Sequence, residues 1–205
     1  MVNKFYKNKK ILITGATGFK GAWLCQILNL FGSKILGVGY KPNKNQNLFN
    51  SLELNKKIKL KYTDIRDYKR LKKIIDQFKP QIIFHLAAQP IIFQSYKDPF
   101  QTININSSGT LNVLDICRSV NSIKSIVCIT SDKCYANNFS TKGFKETDHL
   151  GGSDPYSASK ASAEIILNAY KESFFLKKNI GVASARAGNV IGGGDWSPNR
   201  LIPDT

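Results

Sequence analysis

The segment 129–138 reads ITSDKCYANN. An apolar run, SIVCIT, leads straight into Ser131, Asp132 and Lys133. A hydroxyl, a carboxylate and an ammonium in succession can hold a hydroxylated substrate and pass protons to and from it. Further on, YSASK places Tyr156 and Lys160 four residues apart, hence on one face of a helix. An ammonium beside a phenol favours the phenolate and lowers a pKa that is ordinarily ~10. Such a phenol can take a proton from an alcohol while a hydride leaves for a nicotinamide. Ser131 would hydrogen-bond the substrate hydroxyl or the phenol. Tyr156, Lys160 and Ser131 therefore make an alcohol-oxidising set. Asp132 and Lys133 are surplus to it and supply the second acid/base pair that an elimination requires.

These residues need a scaffold, and the chain alternates strand and helix patterns. Short apolar runs at 10–14, 34–40, 58–63, 81–88, 125–130 and 180–187 predict six strands. Between them, helical spacing predicts helices over 19–31, 68–78, 109–120 and 155–174. Alternating βα units with apolar strands imply an α/β fold, a doubly wound parallel sheet of the Rossmann type. Ligands then sit beyond the carboxyl ends of the strands, where Ser131, Asp132 and Lys133 fall.

The first strand is followed by TGATGFKG, with Gly15, Gly18 and Gly21 spaced G-x-x-G-x-x-G. Between a strand and a helix, such glycines let the chain turn and let backbone amides approach a pyrophosphate at the helix N-terminus. The acidic residue that often ends strand two is missing; Tyr40 and Lys41 stand there instead. A carboxylate would bond ribose hydroxyls, whereas Lys41 could pair with a 2′-phosphate, so NAD and NADP both stay open. Asp64, after strand three, could accept from an adenine amino group or cap a turn.

Composition narrows the classes. No run approaches the ~18 apolar residues of a membrane span. The basic, then apolar N-terminus mimics a signal peptide, but its apolar part is short and reads as the first strand, which places the protein in the cytoplasm. Cys25, Cys117, Cys128 and Cys134 show no C-x-x-C pairing and read as buried thiols. With two histidines no metal site is expected. The net charge of +16 is spread along the chain and not gathered in a block, so nucleic acid is not the expected partner. It would still attract an anionic nucleotide.

The stretches TGATGFKGAWL, DIRD, FHLAAQP, SYKDPFQTININSSGT, ITSDKCY, DPYSASKASAE and ARAGNVIGGGDW span nearly the whole chain. Together they resemble the extended short-chain dehydrogenase/reductases, and within them the CDP-glucose 4,6-dehydratases. The resemblance implies NAD held through a full cycle and CDP-glucose as substrate. It implies a 4-keto-6-deoxy sugar as product, a building block for deoxysugars and lipopolysaccharide. Tyr156 would take the 4-hydroxyl proton and Asp132 would protonate the leaving water. Lys133 would be the C5 base or, as an ammonium, stabilise the enolate. Gly15, Thr17, Gly18, Phe19, Gly21, Asp64, Ile65, Ala87, Ala88, Tyr156 and Lys160 would line the cofactor. Gln89, Asn189 and Arg200 would face the nucleotide sugar, and His85 is a packing residue.

Members of that family continue well beyond residue 205. The expectation is an NAD-binding domain over 1–190 and the truncated start of a substrate domain over 191–205. Such a chain should fold and bind NAD but turn over weakly or not at all. A homodimer is possible by the same likeness. A 4-epimerase and an inactive NAD-binding fragment are the alternatives.

Overall fold

The computed structural model describes residues 2–42, 47–136, 142–199 and 204. Six strands form one parallel sheet: β1 (Lys10–Thr14), β2 (Lys34–Gly39), β3 (Lys59–Tyr62), β4 (Ile82–His85), β5 (Ser125–Ile129) and β6 (Gly181–Ala185). Their order is β3-β2-β1-β4-β5-β6, with every neighbouring pair parallel. The chain builds outward from β1 to β3, then crosses back to β4 and builds the other way. A crevice opens where the direction reverses, between β1 and β4.

Alternation along each strand sorts side chains onto two faces. Ile11, Ile13, Ile35 and Ile82 pack under Ala22, Cys25 and Leu28 of the helix Phe19–Leu30. Leu12, Leu36, Ile83 and Ile126 face the opposite way. They meet Leu71 and Ile75 of Tyr68–Phe78, Val113 and Leu114 of Gly109–Arg118, and Leu167 of Pro155–Tyr170. Both layers predicted from the strand and helix patterns are therefore present. The four cysteines are buried thiols, as expected. No helix among the described residues is long and apolar enough to cross a membrane.

Three details differ from the sequence reading. β3 is an outer strand paired only with β2, and Lys59, Lys61 and Tyr62 are exposed, so it is not buried. Its lysines charge an open edge that would otherwise recruit another strand. The helix at 109 is the tail of a longer run that begins at Pro99 and passes through a π-turn, Asn104–Ser108. The helix from 155 gives way after Tyr170 to a second π-turn, Lys171–Phe175.

Leu12 is fully buried at the sheet centre, whereas Lys61 lies exposed on the edge. Leu12→Ala is expected to cost about 3 kcal/mol and Lys61→Ala under about 0.5 kcal/mol, read as urea midpoints.

Candidate active site

The glycine turn is built by contact. Gly15 has φ +70°, and a Cβ there would lie 2.7 Å from the Ala87 nitrogen at the end of β4. A Cβ on Gly21 would lie 2.1 Å from the Gly15 carbonyl oxygen. Side chains at either position would push the first helix away from the crevice. Gly18 caps that helix with no side-chain hydrogen bond, so its first amides keep their donors for an anion. Thr17 turns its hydroxyl to the Tyr40 carbonyl at 2.9 Å and ties the turn to the end of β2.

A cavity of about 420 Å³ opens over this turn. Gly15, Thr17, Gly18, Phe19 and Gly21 form one wall, with Lys20 beside them. Ile65, Ala87, Ala88 and Gln89 line the crevice side. Ser131, Asp132, Lys133, Tyr156 and Lys160 line the opposite side, and Asn189 its rim. Apart from Lys20, every one of these was named from the sequence, and the fold brings them onto one hollow. Asp64 does not line it, although its neighbours Thr63 and Ile65 do. Arg200 lies outside the described residues.

Local chemistry fixes the Tyr156 helix. Pro155 opens it, and Asp154 accepts from the Ser157 amide at 3.0 Å and the Ser157 hydroxyl at 2.6 Å. The helix thus starts one residue before Tyr156 and carries the phenol inward. Tyr156 is 8% exposed and Lys160 6%. The Lys160 Nζ lies 5.9 Å from the centre of the Tyr156 ring and 3.5 Å from the Ile129 carbonyl oxygen. Burial, with the like charge of Lys20, pulls its pKa down to about 8.

Ser131 caps a short 3₁₀ turn, Asp132–Cys134, by accepting from the Lys133 amide at 3.2 Å. Its hydroxyl donates to Asp132 Oδ1 at 3.0 Å. Asp132 and Lys133 are exposed at the cavity wall. The burial that would favour a neutral amine therefore acts on Lys160.

Two other named residues are already engaged. Asp64 takes Arg66 in a fork at 2.6–3.1 Å and the Tyr40 hydroxyl at 2.7 Å. The Arg66 bonds come first among the causes that hold its pKa at about 2. Gln89 spends its carboxamide on Ile91 and on Thr102 Oγ1.

The sequence reading missed Asn106, which lies in the π-turn. It accepts from the Gln89 amide at 2.8 Å and donates to the Ser159 hydroxyl at 2.9 Å, beside Lys160. It also missed Lys20, whose signal lay in plain view within TGFKG.

His85 behaves as the packing residue expected. Thr110 donates its hydroxyl to the Asn106 carbonyl at 2.6 Å, so Nε2 of His85 must donate to Thr110 at 3.0 Å. Nδ1 then accepts from Thr14 at 2.6 Å. Burial, then the charge of Lys160, holds its pKa at about 3.

A sequence model of the family described as GDP-mannose 4,6 dehydratase matches residues 12–202. The chain belongs to this family. Among family relatives, the chain is 44% identical to the CDP-glucose 4,6-dehydratase of Salmonella typhimurium, over all of this chain and 58% of that protein. The structure superposes on an epimerase from Methanothermobacter thermautotrophicus with a TM-score of 0.82. Identity there is 25%, covering 98% of this chain and 58% of that one. A UDP-glucuronic acid 4-epimerase from Bacillus cereus, solved with NAD, gives 0.78 at 25% identity, over 95% of this chain and 60% of that one. The chain thus spans about three fifths of the length of these relatives.

Two outcomes follow from the buried groups. Competitive labelling of lysines by an amine reagent, read by mass spectrometry, should give Lys160 half-reactivity near pH 8. His85 has a folded pKa below its unfolded value of ~6.5, so the unfolded chain binds the proton first and stability falls as the solution is acidified. Urea unfolding should lose about 2–3 kcal/mol from this group between pH ~6.5 and ~4, and His85→Gln should flatten that slope.

Proposed function

We propose that the chain carries the site of an NAD-dependent nucleotide-sugar 4,6-dehydratase acting on CDP-glucose. The observation that carries this reading is the meeting of two sets on one cavity. The Tyr156–Lys160 pair suits alcohol oxidation, and Asp132 with Lys133 suits elimination. Identity of 44% to a CDP-glucose 4,6-dehydratase supports the substrate.

NAD fits the residues present. The uncapped helix end at Gly18 offers amides to its pyrophosphate, and the Gly15–Ala87 approach leaves that end open to the crevice. When bound, NAD supplies the hydride acceptor and then the hydride donor. The remaining work belongs to the chain. Tyr156 takes the proton of the sugar 4-hydroxyl, and the Lys160 ammonium near its ring stabilises the phenolate that must form. A ketone at C4 acidifies the C5 proton. Asp132, as a carboxylate, takes the C5 proton and delivers it to the departing 6-hydroxyl, which leaves as water, and Ser131 keeps that carboxylate in place through its 3.0 Å bond. Lys133, exposed at the wall, stabilises the enolate as a cation. The positive charge of the chain draws the anionic nucleotide sugar toward the site.

Incubation of the protein with NAD and CDP-glucose should yield a 4-keto-6-deoxy sugar slowly, in keeping with weak turnover by a chain of this length, detected by its absorbance in alkali. Tyr156→Phe should lower the yield by about 10²-fold or more. Asp132→Asn should slow formation of the keto-deoxy sugar while alcohol oxidation persists. An epimerised sugar with no such absorbance would replace this reading with a 4-epimerase. Stabilisation by NAD without any product would leave a dinucleotide-binding fragment.

A further inference from the structure

Glu164 is a carboxylate shut inside the protein, and the chemistry above gives it no task. It stands one helical turn past Lys160, with its side chain 4% exposed. Thr130 donates to one of its oxygens. Ser184 and Arg186 donate to the other, each at 2.9 Å. Burial pushes its pKa up, but the bonds from Arg186, Thr130 and Ser184 prevail and leave it lowered.

Arg186 continues the chain of contacts. Its Nη1 donates to the Tyr135 hydroxyl at 2.9 Å and to the Glu146 carbonyl at 3.0 Å. Its guanidinium lies 4.9 Å from the centre of the Tyr135 ring. Tyr135 also stacks on Phe144 at 4.7 Å.

Thr130 and Tyr135 flank the four residues that contain Ser131, Asp132 and Lys133. Glu164 holds the first flank and Arg186 the second, and the two holders are ion-paired. Glu164 also shares its helix with Tyr156 and Lys160. We propose that Glu164 and Arg186 are positioning residues, a buried bracket that fixes the elimination residues against the redox pair. A buried ion pair contributes little net stability beyond an apolar pair of the same shape, so its effect here is geometric. Neither residue reaches the cavity, so each acts through Thr130 and Tyr135.

The chemical consequence rests on the dehydratase reading; the geometry does not. Without the bracket, Tyr156 and Lys160 stay on an intact helix, and oxidation at C4 continues. Proton transfer at Asp132 and enolate stabilisation by Lys133 lose their alignment, and elimination slows.

The test is hydrogen exchange of the wild-type chain and Glu164→Gln, followed by mass spectrometry. Amides of 131–135 should exchange about tenfold faster or more in the variant, with β1 and β4 unchanged. Leu167→Ala, on the same helix but outside the bracket, should show no such selectivity. Ser184→Ala removes one donor and should give a smaller effect of the same pattern, which serves if Glu164→Gln does not fold. Unchanged exchange at 131–135, or a rise spread evenly over the sheet, overturns the bracket. With NAD and CDP-glucose, Glu164→Gln should accumulate reduced nicotinamide while the keto-deoxy sugar falls. If neither protein reduces NAD, the reaction assignment falls and the exchange pattern still decides the bracket.

Discussion

The site depends on how closely two backbones approach where the sheet reverses. β1 is followed by Gly15, whose missing side chain lets it lie against Ala87, just past the end of β4. Gly21 repeats the contact one helical turn further on, against the Gly15 carbonyl. Neither approach leaves room for a Cβ. Together they seat the start of the first helix directly above the crevice, with its free amides pointing into it. A helix displaced by one side chain would point that end away from β4 and β5, and the phosphate cradle would no longer share a cavity with Tyr156. The topology decides where a ligand can sit, and two glycines decide whether it can come close enough.

Burial then divides the two chemical sets. The redox pair lies on a capped helix, nearly shut from water, where a lysine loses hydration and the proton is held less firmly. The elimination pair lies on a 3₁₀ turn at the exposed wall. In the proposed reaction one set would exchange a proton with a single hydroxyl in a fixed geometry, and the other would have to reach a carbon acid and a leaving group. A rigid helix suits the first task, and a short turn at the end of a strand suits the second. The turn is anchored by the Ser131 cap and by backbone bonds, from the Asp132 amide to the Ala187 carbonyl at 3.1 Å and from the Gly151 amide to the Cys134 carbonyl at 2.9 Å. Glu164 and Arg186 hold its two flanks from behind.

The sheet was legible because apolar runs of five to eight residues separated by helical spacing have few other uses. β1 and the helix Tyr68–Phe78 fall at the bounds that the pattern predicts. The glycine turn and the YSASK pair were legible because each is local. What stayed hidden depends on partners far apart in the chain. Asn106 joins Gln89 to Ser159, 17 and 53 residues away. Glu164 joins Thr130 and Ser184, 34 and 20 residues away. No periodicity encodes such pairings, although a glutamate one turn past Lys160 on the helix's inner side was a signal that could have been weighed. The exposure of β3 was hidden for a different reason. KLKY has strand spacing whether it is central or marginal, and only the sheet order places it at the edge.

The number of proton carriers separates the two reactions that this scaffold could run. An epimerisation takes one proton from the sugar and returns it, so a single phenol suffices. A dehydration must also remove a proton from C5 and add one to a departing oxygen. In the proposed reaction Tyr156 would already hold the first proton at that moment. The additional groups must come from another element that reaches the same cavity. β5 ends opposite the Tyr156 helix, so the turn after β5 is the segment placed to deliver them. It carries a carboxylate and an ammonium in sequence, with a serine holding the carboxylate. The arrangement is redundant for an epimerase and matches what the proposed elimination needs.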